Sequence, residues 1–217
     1  MGTSTASRTA TAPRRPRADA SRNHERIVCA ALQVLIEQGA EAPMDEIARR
    51  AGVGNATLYR HFPDRAALVR SVTLAVLEHS AELAERALAD HPDDPVAALR
   101  EYVHSAADHR IGAACSLLSS HLDTREPELA LAAERGRQAV DEILSRGRLA
   151  GRIRGDVAAA DVLIALAQLT RPLPGATCPG FQTFAHRHLD LLLDGLTTPE
   201  PAPLAGHTAT LEELRGA

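Results

Sequence analysis

One stretch decides the fold: PMDEIARRAGVGNATLYRHFPDRAAL, residues 43–68. Its first half, MDEIARRA, carries apolar residues on one helical face and is ended by Gly52. A second short helix is predicted over Asn55 to Phe62, because Pro63 cannot continue it. Two short helices joined by a tight glycine-containing turn, with an amphipathic helix before them, are typical of a helix-turn-helix.

The second short helix has an inner and an outer face. Stepping about 100° per residue from Leu58 places Phe62 on the same side, so these two side chains are predicted to anchor the helix. The second helix of a helix-turn-helix lies in the major groove. There Asn55 matches the edge of adenine, Ala56 a thymine methyl group, and Arg60 guanine or a phosphate. An ordinary helical hairpin is the alternative, and the turn by itself favours that alternative.

Helical patterns continue on both sides, and no segment alternates as a strand would. Apolar residues recur at helical spacing over 22–38, and Asp64 can cap a longer helix that runs from 65 to about 89. The predicted fold class is therefore all-α. Further helices are predicted at 94–109, 111–121, 127–149, 157–171 and 180–196.

Length and composition limit the classes of function. A chain of 217 residues is long enough for one small domain and one larger one. Cys29, Cys115 and Cys178 are odd in number and widely spaced, which indicates neither a disulfide framework nor a structural zinc site. The sequence shows no signal peptide, apolar membrane span or nucleotide-binding or catalytic motif. We therefore expect a cytoplasmic protein that is not an enzyme and has no cofactor.

Charge is distributed unevenly along the chain. Residues 1–70 hold 11 arginines against seven acidic residues, a net charge of +4. Residues 71–217 hold 13 arginines against 21 acidic residues, a net charge of −8. The amino-terminal part is thus the predicted polyanion binder, and the remainder would repel DNA unless held away from it.

The run from Pro43 to Leu68 closely resembles the DNA-binding segment of the TetR family of bacterial transcription regulators, with its recurring pattern IA..AGVS.GTLY.HF..K..L. The flanking helices extend the resemblance to residues 22–80. The residues that fall on the pattern at its spacing are Ile47, Ala48, Ala51, Gly52, Val53, Thr57, Leu58, Tyr59, His61, Phe62 and Leu68.

The resemblance implies roles for individual residues. Those matching Thr57, Tyr59 and His61 commonly contact phosphates or bases in the family, and the position of Arg65 carries a phosphate-binding lysine. Gly54 stands where the family often has a capping serine, Asn55 is at a variable specificity position, and Ala56 replaces a frequent glycine. The predicted DNA-binding residues are Asn55, Ala56, Thr57, Tyr59, Arg60, His61 and Arg65.

The resemblance also implies a domain organisation. We expect a disordered basic arm over 1–21, a three-helix DNA-binding domain over 22–70, a helical ligand-sensing and dimerisation domain over 71–197, and a disordered tail over 198–217. The arm either follows the DNA or is a solvated tail.

The segment from Val157 to Leu169 is apolar on almost every face, which predicts contact with more than its own domain. In the TetR family the last two helices pack as a four-helix bundle between two subunits. The alternative for each apolar residue there is the subunit's own core. The candidate interface residues are Leu163, Leu166, Phe181, Phe184, Leu189, Leu192 and Leu193.

Regulators of this family usually sense a small molecule between their middle helices. Few polar groups in an apolar surround are typical of such a pocket. Each candidate also fits an ordinary surface or core position. The candidates are Tyr102, His104, Asp108, Cys115, Ser116, His121 and Gln168.

Three functions of different class are compatible with these residues. The favoured one is a homodimeric repressor that binds a palindromic operator and is released by a small-molecule effector. A regulator that switches through oxidation of Cys115 is the second. A metal-dependent enzyme using His104, Asp108 and His121 is the third, although nothing in the sequence brings His121 to the other two.

Overall fold

The protein is described from a computed structural model, which defines residues 16–118, 126–171, 181–197 and 202–208. Every regular element in these ranges is an α-helix, as predicted. We call α1–α3 the head and α4–α9 the body. The helices are α1 (Pro16–Gln38), α2 (Met44–Ala51), α3 (Asn55–His61), α4 (Arg65–Asp90), α5 (Pro95–Asp108), α6 (Ile111–Leu118), α7 (Pro127–Leu149), α8 (Ala159–Leu169) and α9 (Phe181–Leu196).

Helix α1 begins earlier than expected. It starts at Pro16, so the prediction of a disordered arm is wrong for residues 16–21, while residues 1–15 lie outside the described ranges. Proline suits the first turn of a helix because a backbone N–H at this position would have no partner within the helix, so its absence costs nothing. One turn further on, Ser21 Oγ donates a hydrogen bond of 3.0 Å to Glu25.

Part of the carboxyl-terminal segment is also more ordered than expected. Arg154 donates to the carbonyl of Ala202 at 2.7 Å, and the N–H of Leu204 donates to Asp156 at 3.2 Å. The predicted disordered tail over 198–217 is therefore held against the body at residues 202–204.

The apolar faces of the head helices meet in one core. Burying each large aliphatic or aromatic side chain stabilises the fold by about 1.5–3 kcal/mol. This core fixes α3 against α1 and α2, as the inward positions of α3 predicted. Its fully buried side chains include Ile27, Leu35, Ile47, Leu58, Phe62 and Leu68.

In the body, α4 packs along α5 and α7, and α6 lies between α8 and the head. Gly112 makes the contact of α6 with α8 possible, because a Cβ at this position would lie only 2.6 Å from the carbonyl oxygen of Leu166. Helix α6 also contacts α1, so it connects the body to the head. In the part of the chain that the structure describes, every helix is too short or too polar to cross a membrane.

Candidate DNA-binding interface and sensing region

The turn between α2 and α3 is held from two sides. Gly52 has a φ of 65°, the left-handed conformation that favours glycine, and its N–H bonds to the last carbonyls of α2. The N–H of Val53 donates to Ala48 at 3.0 Å. From α1, Arg26 Nη2 donates to the carbonyl of Ala51 at 2.6 Å. The angle between α2 and α3 is therefore set by backbone groups and one buttressing arginine.

Helix α3 presents its predicted outer face to solvent. Leu58 is fully buried and Phe62 is 2% exposed, whereas Tyr59 is 47% exposed. Among the seven predicted DNA-binding residues, Thr57, His61 and Arg65 are half-buried. The exposed ones are Asn55, Ala56, Tyr59 and Arg60.

Most arginines of the DNA-binding region bond to other residues of the protein. Arg49 pairs with Glu46 at 2.6 Å, and Arg50 pairs with Glu37 at 2.9 Å. In the described residues no acidic side chain forms an ion pair with Arg60. On α3 itself, the arginine that can meet a phosphate is Arg60.

Arg70, near the start of the body, is also paired with acidic residues. Its guanidinium bonds to Glu126 and Glu128 beside the first turn of α7, the latter at 2.6 Å. These two ion pairs fasten α4 to α7.

Arg65 makes contacts that the family resemblance did not imply. Its Nη1 donates to the carbonyl of Ala40 at 2.8 Å and its Nη2 to the carbonyl of Ala42 at 2.7 Å. Carbonyls beyond a helix end have no hydrogen-bond donor within the helix, and this guanidinium supplies the donors. Asp64 caps α4 next to it by accepting from the Ala67 N–H at 2.8 Å, as predicted. Arg65 therefore braces the loop between α1 and α2.

His61 faces α1 rather than open solvent. Its ring lies 6.2 Å from that of His24, and the His24 ring lies 4.9 Å from that of Phe62. Burial, with the neighbouring His24 and Arg60, lowers the pKa of His61 below its ordinary value. At neutral pH this side chain is an uncharged hydrogen-bonding group.

Asn55 is tied to α2. Its Nδ2 donates to Asp45 Oδ1 at 2.8 Å, and both residues are exposed. Gly54 precedes α3 and supplies no side-chain cap, in line with the departure from the family pattern. The side chain at the predicted specificity position is thus oriented before any DNA is bound.

In the body, Tyr102 is one of two sensing candidates that lie in the interior. It is 1% exposed, and its hydroxyl is 3.1 Å from Ser80 Oγ. Burial raises the pKa of Tyr102 to about 12 and that of the Cys115 thiol to about 11. Such a thiol stays protonated at neutral pH, so the structure lends no support to an oxidation switch at Cys115.

Other sensing candidates lie elsewhere. Gln168 is exposed on α8, and the predicted role in a buried pocket does not fit that position. His121 and the side chain of Ser116 lie outside the described residues. A polar depression between α7 and α8 is lined by none of the candidates; it is lined by Gln138, Asp141, Glu142, Ser145, Arg148 and Ala158.

His104 and Asp108 bond to residues of α9. His104 Nδ1 lies 2.6 Å from Nδ1 of His186, and His104 Nε2 lies 3.1 Å from Asp190. His186 Nε2 lies 2.9 Å from Asp108. The ring nitrogens are occupied by these hydrogen bonds, and within the described ranges no group of three His, Cys, Asp or Glu could hold a metal ion. This cluster fastens α5 to α9.

The structure divides the candidate interface residues into two groups. Leu166, Leu189 and Leu193 are buried in the subunit's own core, which is where the alternative interpretation placed them. Leu163 and Leu192 are half-buried, and Phe184 is 54% exposed. The side chain of Phe181 lies outside the described residues.

Sequence reasoning missed three residues. Ser80 follows Val72 and Val76 at helical spacing, and a polar residue at such a core position is the signal that could have found it. Leu191, 59% exposed, belongs to a run of three leucines that cannot all face inward. Asp45 gave no signal, since an acid in the first turn of a helix is ordinary.

Comparisons with known proteins agree with this architecture. Residues 27–72 match the family described as bacterial regulatory proteins, tetR family, and residues 94–198 match the SbtR-like transcriptional regulator C-terminal domain. The chain is similar to a TetR transcription regulatory protein from Mycobacterium vanbaalenii, with 32% identity, a TM-score of 0.57, and coverage of 84% of this chain and 99% of that one.

A second relative is LfrR, solved from Mycobacterium smegmatis in complex with proflavine. That structure is 27% identical, with a TM-score of 0.59, and the match covers 84% of this chain and 99% of that one. The curated HTH-type transcriptional repressor LfrR of Mycolicibacterium smegmatis is 35% identical over 127 residues, which is 58% of this chain and 65% of that protein. The chain spans 33% to 65% of the length of the curated relatives it matches. With its helix-turn-helix, its helical body and a structural relative 32% identical over 84% of its length, the chain belongs to the TetR family of transcriptional regulators.

Proposed function

We propose that the protein is a homodimeric, cytoplasmic repressor that binds a palindromic operator through α3 and is released by a small-molecule effector. The observation that carries the DNA-binding part is the outer face of α3. Asn55, Ala56, Tyr59 and Arg60 are exposed on it, while Leu58 and Phe62 hold the helix rigidly from behind. A rigid helix with exposed polar side chains at its start fits the major groove.

Binding to the DNA upstream of its own gene tests this proposal. We expect fluorescence anisotropy to show salt-dependent binding, with weaker binding to scrambled DNA of the same composition. The variant Tyr59→Ala should weaken binding without lowering the melting temperature, because its side chain is largely exposed. Equal affinity for upstream and scrambled DNA at several salt concentrations would contradict a sequence-specific repressor.

The proposed dimer rests on the exposed apolar side chains of α9. Phe184 and Leu191 are more than half exposed, and the half-buried Leu163 and Leu192 belong to the same pair of terminal helices. An exposed apolar patch on the last two helices fits the pairing mode of the family. A two-fold dimer would place two copies of α3 about 34 Å apart, one turn of DNA.

Charge insertion tests the dimer. We expect sedimentation to show a dimer for the wild type and a shift towards monomer for Leu191→Glu and Phe184→Glu. Leu149→Glu is the matched control, since Leu149 is 88% exposed but belongs to the end of α7 and not to α8 or α9. A wild-type monomer, or equal effects of all three substitutions, would contradict an interface on α9.

The proposed effector site includes the interior polar groups of α4, α5 and α6. The hydroxyls of Ser80 and Tyr102 bond to each other, and Cys115 adds one weakly polar group to an otherwise apolar region. A few polar groups among apolar side chains orient a small ligand. The relative LfrR was solved with proflavine, which makes planar aromatic compounds the first class to try.

A thermal-shift screen that includes proflavine tests the effector proposal. A ligand that binds the folded state raises the melting temperature, and an effector should also release operator DNA. We expect Tyr102→Phe to reduce the shift more than Gln168→Ala, because Gln168 is exposed on α8. A compound that stabilises both variants equally would place its site elsewhere.

A further inference from the structure

The side chain of Asn55 is held by one acidic residue of the preceding helix. Asn55 Nδ2 donates to Asp45 Oδ1 at 2.8 Å, across the turn that joins α2 to α3. Among the described residues, the Asp45 side chain accepts this hydrogen bond. The nearby arginines, Arg49 and Arg50, pair with its neighbour Glu46 instead. Asp45 is therefore available to orient Asn55.

An ionised carboxylate fixes which end of an amide faces it. It accepts hydrogen bonds and donates none, so it pairs with the amide nitrogen of Asn55 and not with the amide oxygen. The nitrogen uses one of its two hydrogens for Asp45. One hydrogen and the Oδ1 acceptor stay available for another partner.

We propose that Asp45 is a positioning residue that makes Asn55 selective for adenine. In the major groove adenine offers a hydrogen-bond donor at N6 and an acceptor at N7, which match the acceptor and the single donor left on Asn55. Guanine offers two acceptors, O6 and N7, and would require both amide hydrogens. The Asp45 bond thus selects adenine over guanine. This inference rests on the proposed insertion of α3 into the major groove.

Asp45 has a second, opposite effect on binding. Its negative charge lies beside the DNA-facing side of α3 and repels phosphates of any sequence. Replacing Asp45 should therefore strengthen binding to unrelated DNA while weakening the distinction between bases. An ordinary structural residue would not shift these two quantities in opposite directions.

The test selects binding sites from a random DNA library with the full-length protein and then measures dissociation constants for single-base variants. The wild type, Asp45→Ala, Asn55→Ala and Glu41→Ala are compared. The Glu41→Ala control removes one exposed negative charge from the α1–α2 loop without touching Asn55. Melting temperatures verify that each variant is folded. We expect all of them to fold, because the three substituted side chains are exposed.

We expect the wild type to prefer adenine at the base pair whose preference is lost in Asn55→Ala. Asp45→Ala should lower the adenine-to-guanine preference at that base pair by about fivefold or more, the lower end of what a bidentate base contact contributes. It should also bind unrelated DNA more tightly. Glu41→Ala should leave the base preference unchanged.

Four results would overturn the inference. A wild-type preference for a base other than adenine at the Asn55-dependent position would contradict the chemistry, and an unchanged preference in Asp45→Ala would remove its positioning role. Site selection by the wild type with no change in Asn55→Ala would overturn the inference while sparing the proposed function. Failure of the wild type to enrich any site would overturn both.

Discussion

The head and the body use polar side chains in different ways. In the head, Arg26 and Arg65 bond to backbone carbonyls at the ends of helices and so set the geometry of the turn and loop. In the body, polar groups join one helix to another, as Ser80 and Tyr102 do in the interior. A DNA-binding element needs its outer face free, so its bracing comes from behind; a sensing region needs its polar groups inside.

The largest expected effect is loss of the anchor of α3. Leu58→Ala should lower the free energy of unfolding by about 2–5 kcal/mol, because this side chain is fully buried. DNA binding should be lost with it. Urea unfolding and anisotropy measure the two effects. Tyr59→Ala is the contrast: it should keep the stability and lose the binding, and similar unfolding curves for both variants would contradict the division into inner and outer faces.

Arg65 gives the next largest effect and distinguishes bracing from phosphate binding. Arg65→Ala should lower the free energy of unfolding by about 1.5–3 kcal/mol, since it removes two hydrogen bonds from a charged donor. We expect the salt dependence of DNA binding to change little. Arg60→Ala is the control and should lower that slope by about one unit with little effect on stability. A lower slope for Arg65→Ala would restore the phosphate role that the family resemblance implies.

The interior hydroxyl pair gives a smaller effect in the body. Tyr102→Phe should lower the free energy of unfolding by about 1–3 kcal/mol, because it leaves the buried Ser80 hydroxyl without this partner. The double variant with Ser80→Ala should cost less than the sum of the two single changes. DNA affinity without effector should stay near that of the wild type. Strict additivity in urea unfolding would show that the two hydroxyls act independently.

The smallest effect concerns pH and His61. Its folded-state pKa is lowered, so the unfolded chain binds the proton more readily. The stability from this group is complete above about pH 6.5, the unfolded value, and declines as the pH falls towards the folded value. A phosphate favours the protonated ring of His61, so DNA affinity should rise as the pH falls over the same range. His61→Gln should flatten both profiles, and unchanged profiles would contradict the assignment.

The sequence predicted the helix-turn-helix well because its signals are local. Gly52 ends α2, Pro63 follows α3 and Asp64 caps α4 within a few residues of one another, so no long-range information was needed. The start of α1 was missed because arginine, serine and alanine in the arm resemble a disordered composition although they also suit a helix.

Contacts between distant residues were beyond the reach of the sequence. Arg65 meets carbonyls 25 and 23 residues away, and His104 meets His186 across 82 residues. Helical spacing tells which residues share a face but not which helix covers that face. For this reason the family resemblance implied that Arg65 binds phosphate, whereas in the fold Arg65 bonds to the loop between α1 and α2.

By itself the sequence determined the all-α class, the two short helices of the head and the division of α3 into an anchored and an exposed face, because these follow from periodicity and capping over a few turns. Tertiary structure decided which arginines stay available for DNA, which leucines of α8 and α9 remain exposed, and that Asp45 holds Asn55. Those outcomes depend on the partners that packing brings together, and a linear pattern does not specify such partners.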